Sequence, residues 1–177
     1  LIGEIRDGET AKIATQASLT GHLVFSTIHT NSAPGTVTRL VDMGVEPFLV
    51  ASTLACVISQ RLVRRLCDDC KQPYTPQDSV LKRVGLTPDD AKGATFYKAV
   101  GCDRCFKNGY RGRAPLFEVM EVGQELAALI IDRADAGMIK KRACELGMAQ
   151  LVDDGVRLVK EGITTLEEVL TVSVADV

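Results

Sequence analysis

The first part of the chain changes its hydrophobic pattern three times within 35 residues. Residues 1–5 form a short apolar run that ends in charged side chains, which is typical of a buried strand reaching the edge of a sheet. Small apolar residues then recur every three or four positions over residues 9–18, which predicts a helix. Residues 22–27 are β-rich again and lead into a polar loop. This strand, helix and strand predict a parallel sheet with helices on its faces.

A second helical pattern begins after the polar loop. Residues 36–43 predict a short helix, and Pro47 then begins a long one, because proline suits the first helical turn. The buried stripe predicted for the long helix is Val50, Leu54, Val57, Ile58 and Leu62. Three arginines would lie in its last turn, Arg61, Arg64 and Arg65. Cations there complement the helix dipole. The three arginines either form the solvated end of the helix or contact phosphate or a neighbouring subunit.

The composition shifts over residues 67–112 toward Cys, Pro, Asp, Lys and Gly, and periodicity is lost. This segment has few large apolar residues, so it is predicted to be a small insertion rather than a core element. The chain is therefore predicted to have three parts. They are residues 1–66, residues 67–112 and residues 113–177.

The last part begins with strand character at residues 115–122 and is otherwise helical. Helices are predicted at 125–132, 135–146, about 149–160 and 166–172. Thr164 with Glu167, or Thr165 with Glu168, fits a capping box at the start of the last helix. Two cysteines, Cys56 and Cys144, fall within helical apolar patterns and are predicted to be core residues.

The other four cysteines form two Cys-x-x-Cys pairs, Cys67 with Cys70 and Cys102 with Cys105. Each pair places two thiolates about one turn apart, so the pairs together supply the four sulfurs that structural zinc prefers. A closed four-sulfur shell leaves no position for substrate, and metal binding would offset the ordering entropy of the insertion. The 31 residues between the pairs exceed the usual zinc-ribbon spacing, and a redox pair or free thiols are the alternative.

Glu4 places a carboxylate at the end of the first predicted strand, the edge of a parallel sheet where ligands bind. In nucleotide hydrolases such a carboxylate holds Mg²⁺ or its water beside the γ-phosphate, although an acid there is also commonly a solvated turn residue. His22 and His29 flank the second predicted strand, and only His29 lies beyond its carboxyl end. His29 is therefore either a phosphate contact or a hydrogen-bonded loop residue.

Composition and charge narrow the classes of function. A chain of 177 residues that is 46% hydrophobic and 25% charged matches ordinary globular proteins, which excludes wholesale disorder. Its 21 basic and 23 acidic side chains give a net charge of -2, so the positive bias of a dedicated nucleic-acid binder is missing. The longest mainly apolar stretch, 48–58, is too short to cross a bilayer, and the opening residues do not resemble an export signal.

Four segments carry a joint resemblance. They are LIGEIRDGETA (1–11), TGHLVFSTIHTNSA (20–33), QRLVRRLC (60–67) with the paired cysteines, and GYRGRAPLFEVMEV (109–122). Together they resemble the secretion ATPase family, the cytoplasmic motors of type II secretion and type IV pilus assembly, and residues 147–170 look like the family's C-terminal helical region. The resemblance implies an α/β fold: the C-terminal half of a RecA-like P-loop NTPase core, a small tetracysteine zinc insertion and a C-terminal helical subdomain.

The resemblance also implies roles for individual residues. The first predicted strand corresponds to the Walker B strand, with Glu4 as its acidic residue and Gly3 beside it in the nucleotide site. The second corresponds to the family's His box, with His29 as the phosphate sensor and His22 as a second member. Glu4 and His29 are thus implied as catalytic residues that act with ATP and Mg²⁺. The four paired cysteines match the family's structural zinc motif.

No Gly-x-x-x-x-Gly-Lys-Ser/Thr motif occurs in the 177 residues, so the phosphate-cradling loop and its lysine are missing. The resemblance therefore implies the C-terminal fragment of a hexameric ATPase, inactive alone. The full-length ATP hydrolase would power pseudopilus or pilus assembly and protein secretion, cytoplasmic but peripheral to the inner membrane. Its partners would be the inner-membrane platform and cytoplasmic adaptor proteins, and no nucleic acid. Type II secretion, pilus assembly and DNA uptake stay open.

Two other functions fit the sequence. The first is a zinc-dependent interaction or nucleic-acid-binding module, but the near-neutral charge and the lack of aromatic residues among basic ones argue against the nucleic-acid version. The second is a related RecA-like motor for DNA transfer or pilus retraction. The cysteine quartet counts against it, because the retraction branch of the resembled family generally lacks this motif.

Overall fold

The computed structural model of the chain describes residues 1–173 and divides it into two compact units, each made from two stretches of sequence. The first unit comprises Leu1–Ser59 and Glu118–Ala149. The second comprises Gln60–Phe117 and the chain from Gln150 onward. The sequence instead predicted three consecutive parts with boundaries at residues 66 and 112, and that division stays a prediction.

Along the described residues, three helices come first, a mainly β segment with one short helix follows, and four helices come last. The helices are α1 (Gly8–Leu19), α2 (Ala33–Asp42), α3 (Pro47–Thr53), α4 (Asp78–Arg83), α5 (Gln124–Ile131), α6 (Ala136–Glu145), α7 (Leu151–Lys160) and α8 (Leu166–Ser173). The strands are β1 (Cys56–Leu66), β2 (Gln72–Tyr74), β3 (Phe96–Lys98) and β4 (Tyr110–Glu121), and Asp103–Cys105 form a 3₁₀ turn. Among residues 1–173, no helix has both the length and the apolar character needed to span a bilayer.

The helices predicted before and after the long helix at Pro47 in the sequence are confirmed. Capping side chains explain where several of them begin. Asp7, Ser32 and Asp135 are the N-caps of α1, α2 and α6, and each side chain accepts a hydrogen bond from a backbone N–H in the first turn. The predicted strand 115–122 is the second half of β4. At the start of α8, the Thr165 hydroxyl accepts from the Glu168 N–H at 3.3 Å, which favours the second of the two predicted caps.

The long helix predicted from Pro47 is wrong. Pro47 does begin α3, but this helix ends at Thr53, and β1 follows from Cys56 to Leu66. Of the predicted stripe, Val57 is buried in β1, whereas Ile58 and Leu62 are exposed. Val63, which was not part of the stripe, is also buried. This segment is a strand because it pairs with β4, and β-branched residues pack well on the surface of a β-sheet.

Two further predictions depended on that helix and are also wrong. Arg61, Arg64 and Arg65 lie on β1 and not in the last turn of a helix. Cys56 is the first residue of β1 and is exposed, so it is not a core residue. Cys144 does lie in a helix, α6, where it is half-buried.

The first two predicted strands are extended segments without regular strand assignment. They run side by side in the same direction, with Ile2 N–H donating to Phe25 O at 2.9 Å and Ile5 N–H donating to Thr27 O at 2.8 Å. The Thr27 hydroxyl also donates to Gly3 O at 2.9 Å. The parallel direction is as predicted, but the regular pairing is not, because the contacts are too few to build a ladder.

Two strand pairs are regular. β2 pairs antiparallel with β3, with Pro73 opposite Tyr97. β1 pairs with β4, and the bonds from Val122 N–H to Ala55 O and from Cys67 N–H to Gly109 O show that they run in opposite directions. The small β2–β3 pair lies in the segment between the cysteine pairs, where the sequence predicted no regular structure.

Each unit has its own apolar core. In the first unit α1, α2, α3, α5 and α6 bury a cluster that includes Val37, Val50, Met120 and Ile139. In the second unit one cluster joins α4 and β3 to α7 and α8 around Phe96, Val159 and Val169. The insertion at residues 67–112 therefore packs against α7 and α8. Apolar contacts help to order it in addition to any bound metal.

Candidate metal centre and nucleotide site

The four paired cysteines converge at one place in the second unit. Cys67 follows β1 and Cys70 precedes β2. Cys102 directly precedes the 3₁₀ turn between β3 and β4, and Cys105 is the last residue of that turn. Their sulfur atoms all lie within 4.8 Å of one another. The sequence spacing thus predicted the right grouping, and we call this group the tetracysteine knuckle.

The distances between the sulfurs fit a tetrahedral ion. Cys67 Sγ lies 3.9 Å from Cys102 Sγ, and Cys105 Sγ lies 3.8 Å from both Cys70 Sγ and Cys102 Sγ. A tetrahedral zinc site with metal–sulfur bonds of about 2.3 Å places its sulfurs about 3.8 Å apart. All six cysteines are free thiols rather than disulfides. The knuckle therefore has the donor set and the spacing of a four-sulfur structural metal site.

Backbone N–H groups surround these sulfurs and shift their acidity. Loss of solvent contact raises the pKa of the Cys70 thiol to about 11, although the Gly101 N–H acts in the opposite direction. Burial would also raise the pKa of Cys105, but the N–H groups of Cys102 and Gly109 donate to its Sγ at 3.1 and 3.2 Å and lower the pKa to about 6. These N–H groups therefore favour ionisation of Cys105, and the thiolate is the form that binds metal.

Two glycines next to the second cysteine pair are needed for its geometry, and the sequence analysis missed them. Gly101 and Gly109 have φ of 109° and 79°, a region that favours glycine. A Cβ at Gly101 would lie 2.4 Å from Lys107 O, and one at Gly109 would lie 2.6 Å from Ala99 Cβ. A glycine directly before Cys102 and another four residues after Cys105 were the sequence signals that could have identified these positions.

The structure brings Glu4 and His29 together in the first unit. His29 Nε2 lies 2.8 Å from Glu4 Oε1, and Arg6 Nε donates to Glu4 Oε2 at 2.6 Å. The approach of the imidazole is close enough for an ion pair but does not have hydrogen-bond geometry. Glu4 Oε1 is therefore a buried oxygen without a hydrogen-bond partner among residues 1–173. Such an atom is suited to a cation or an ordered water.

A shallow cavity of about 290 Å³ opens beside this pair. Glu4, Arg6 and His29 line it together with Arg39 of α2 and three apolar side chains. Arg39 was not singled out in the sequence, where it is one basic residue of an amphipathic helix. Two arginines, one carboxylate and one histidine line the cavity, so its positive charge suits an anionic ligand.

The other two residues predicted for a nucleotide site are placed differently. His22 Nδ1 lies 3.2 Å from Ala17 O at the end of α1 and 3.1 Å from the Thr20 hydroxyl, and His22 does not line the cavity. Gly3 lies next to Glu4, and its carbonyl accepts from Thr27. The structure therefore joins Glu4 with His29 but does not bring His22 to them, and the ligand-binding roles of Gly3 and His22 stay predictions.

Comparisons with known proteins match nearly the whole chain. The family model described as type II/IV secretion system protein matches residues 1–171. The type IV pilus assembly ATPase PilB of Thermus thermophilus is 49% identical over 170 residues, which cover 96% of this chain and 19% of that protein. The type II secretion system protein E of Pseudomonas aeruginosa is 48% identical over 173 residues, covering 98% of this chain and 34% of that protein.

Solved structures share the fold. The Legionella pneumophila ATPase DotB superposes with a TM-score of 0.62 at 20% identity, covering 99% of this chain and 38% of that one. The pilus retraction motor PilT with bound ADP gives a TM-score of 0.62 at 23% identity, covering 96% of this chain and 38% of that one. The predicted fold class, α/β with part of a RecA-like core, is thereby confirmed. The chain spans between about a fifth and a third of the length of these curated relatives, and it belongs to the type II/IV secretion system protein family.

Proposed function

We propose that this chain is the part of a secretion or pilus-assembly ATPase that supplies an acidic residue and a histidine to the nucleotide site and that also carries a structural zinc knuckle. The single observation that carries the proposal is the 2.8 Å approach of His29 Nε2 to Glu4 Oε1. These residues are 25 positions apart in sequence, and the two parallel segments that carry them bring both side chains to one cavity.

Glu4 is assigned the role of holding Mg²⁺ or the attacking water. Its side chain is only 19% exposed, and Oε1 has no hydrogen-bond partner among the described residues. Burial of an unsatisfied carboxylate oxygen is costly unless a ligand compensates for it. When bound, Mg²⁺ would neutralise charge on the phosphates, and Glu4 would orient its water shell.

His29 is assigned the role of sensing the γ-phosphate. Its side chain is 91% exposed at the cavity, so it can reach a phosphate oxygen and remain beside Glu4. An imidazole can donate a hydrogen bond to a phosphate oxygen and change its protonation near neutral pH. Arg6 and Arg39 add positive charge to the same cavity, which suits an anionic substrate such as ATP.

Zinc is the metal that fits the knuckle. Four cysteine sulfurs at tetrahedral spacing are the donor set of structural zinc sites, and no fifth position is needed. We assign the ion a structural role, because the cysteines hold together the segments that follow β1 and precede β4.

The activity of the whole protein extends this proposal. We assign the intact protein the ATP hydrolysis that drives pseudopilus or pilus assembly and secretion, as a cytoplasmic homo-hexamer that docks on an inner-membrane platform and adaptor proteins. The relatives named above are a pilus assembly ATPase and a type II secretion protein, which supports both branches equally. In this proposal the phosphate loop comes from a part of the protein outside these 177 residues.

The experiment measures ATP turnover of the intact protein. Glu4→Gln keeps the size of the side chain but removes its charge, and His29→Ala removes the imidazole. Each variant should therefore lower kcat at least about a hundredfold, the lower end of the range for general acid–base and electrostatic contributions. Glu9→Gln is the matched control, because Glu9 is an exposed carboxylate in the first turn of α1, outside the cavity.

His22→Ala separates two versions of the site. If His22 is only a surface residue at the end of α1, this variant keeps normal turnover, whereas a ligand role would lower it. Unchanged turnover in both Glu4→Gln and His29→Ala, with normal folding by circular dichroism, would contradict the proposed function.

A further inference from the structure

The exposed imidazole of His29 has little packing to hold it in place. Its side chain is 91% exposed, and its Nε2 lies 2.8 Å from Glu4 Oε1. A side chain with this exposure keeps many rotamers open unless the backbone beneath it is fixed. The position of His29 therefore depends on residues 29–32, the segment that leads into α2.

Two local contacts begin to fix this segment. The hydroxyls of Thr30 and Thr36 lie 2.8 Å apart, and the Ser32 hydroxyl accepts from the Gly35 N–H at 3.3 Å. Thr36 is buried, so its contact with Thr30 anchors the segment to the first turn of α2. Both contacts connect the loop to its own helix, and α2 in turn packs into the core of the first unit through Ala33 and Val37.

A distant carboxylate forms a directed contact with the start of this helix. Glu118 on β4 is only 3% exposed, and its Oε1 accepts a buried hydrogen bond of 2.9 Å from the N–H of Ala33, the first residue of α2. The two residues are 85 positions apart. Both belong to the first unit.

A buried glutamate at this position is not required by packing. The inward positions of β4 on either side, Ala114, Leu116 and Met120, are apolar, so a fourth apolar residue would continue the pattern. Burial of a carboxylate is costly unless it is hydrogen-bonded or faces positive charge. The N-terminus of α2 provides both, because its first N–H groups have no partner within the helix and carry partial positive charge.

We propose that Glu118 is a positioning residue for His29. It holds the Ala33 N–H, which fixes the start of α2 and with it the backbone of residues 29–32, so that the imidazole stays beside Glu4. Glu118 itself does not line the cavity and does not touch the ligand. What His29 does with the ligand rests on the proposed function, whereas the positioning itself can be measured without it.

The first experiment is a double-mutant cycle in the intact ATPase with Glu118→Ala and His29→Ala. Glu118→Ala alone should lower kcat about tenfold or more and change KM for ATP by less than about twofold, because a displacement of about 1 Å can cost up to a hundredfold in rate. In the His29→Ala background it should cause no further loss of kcat, since it acts through the imidazole. A purely structural role would give losses that multiply.

Two variants serve as references. Glu118→Gln keeps an acceptor oxygen for the Ala33 N–H, so its kcat should recover most of the loss seen in Glu118→Ala, and it allows the same cycle if the alanine variant does not fold. Glu121→Gln changes an exposed carboxylate on the same strand and should leave kcat unchanged. Multiplying losses, or a normal kcat for Glu118→Ala beside a low kcat for His29→Ala, would overturn the positioning role.

A second measurement is independent of turnover. The chain contains only two histidines, so NMR spectra of its imidazole carbons give one signal for His22 and one for His29. Glu118→Ala should move and broaden the His29 signal while that of His22 stays in place. An unchanged His29 signal would overturn the proposal. A moved signal together with normal turnover for His29→Ala would uphold the positioning and contradict the proposed function.

Discussion

The tetracysteine knuckle and the Glu4–His29 pair are both convergences of reactive side chains, but they are built differently. The knuckle brings four sulfurs of the second unit within 4.8 Å of one another, and backbone N–H groups donate to Cys70 and Cys105. The pair in the first unit consists of one buried carboxylate oxygen and one exposed imidazole at a shallow cavity. The first arrangement is closed, and the second is open to solvent.

This difference shows which chemistry the chain holds by itself. A four-sulfur site is complete when its four ligands are present, so the knuckle needs no atoms from elsewhere. A triphosphate needs donors around all of its oxygens, and the Glu4–His29 cavity offers them on one side. Metal binding should therefore be a property of these 177 residues, and nucleotide hydrolysis a property of the intact protein.

The largest expected effect comes from breaking the knuckle. Cys105→Ser, or a strong chelator, should reduce bound zinc from about one ion per chain to near zero and lower the unfolding temperature. Structural zinc contributes on the order of 10 kcal/mol of binding free energy in small domains, and the Cys105 thiolate is one of its ligands. Metal analysis with thermal unfolding checks this.

Cys56→Ser is the matched control for the knuckle, because Cys56 is exposed and lies outside the cluster. It should keep one zinc per chain and the normal unfolding temperature. A protein that carries no metal when purified under reducing conditions with zinc present would show that the knuckle is a thiol cluster instead.

An intermediate effect is expected where the C-terminal helices support the knuckle. Gly155 of α7 faces Val169 of α8 so closely that an added Cβ would lie 2.5 Å from Val169 Cγ1. Gly155→Ala should therefore destabilise the chain by about 1–3 kcal/mol through overpacking. The better helix propensity of alanine returns at most about 1 kcal/mol. Denaturant unfolding measures the difference.

Val169→Ala tests the cause of that effect. It removes the methyl groups that the new Cβ would meet, so the double variant should lose less stability than the sum of the two single losses. Additive losses, or a Gly155→Ala chain as stable as the original, would show that α7 and α8 separate easily and that the knuckle does not depend on their close contact.

The smallest expected effect concerns the pairing of α8 with β1. Burial alone would raise the pKa of Glu168, but hydrogen bonds from the side chain and the backbone N–H of Arg64 lower it overall. The ionised carboxylate therefore stabilises the fold above the unfolded-state pKa of about 4.3, and this contribution is lost as the pH falls through the lower folded-state pKa.

Glu168→Gln should cost about 1–2 kcal/mol at pH 7, within the range for hydrogen bonds to charged groups after allowing for the exposed Arg64 guanidinium. The difference from the original chain should shrink as the pH falls below about 4.3. Urea unfolding at pH 7 and pH 3.5 measures it. Glu161→Gln is the control, because Glu161 follows α7 and its ion pair with Arg157 is exposed. A difference that is independent of pH would exclude the charge as its source.

Much of the chain could be predicted from local chemistry alone. The helix starts at Asp7 and Asp135 follow from side chains that satisfy the first backbone N–H groups, which is a contact within four residues. The grouping of the four cysteines follows from their spacing, because each pair is confined to one turn. The acidic residue at position 4 and the histidine at position 29 were identified from their places at the ends of two apolar segments.

Other features depended on partners distant in sequence. β1 was predicted as a helix because its apolar residues also fit a helical spacing, and only the pairing with β4, about 50 residues later, made it a strand. Glu118 reads locally as one acidic residue of a strand, and its buried bond to Ala33 exists only after folding. The sequence alone determined capping, metal-ligand spacing and the identity of the reactive groups, since these are short-range properties of the chain. The tertiary structure decided strand pairing and the approach of His29 to Glu4, because these depend on which distant segments share a core.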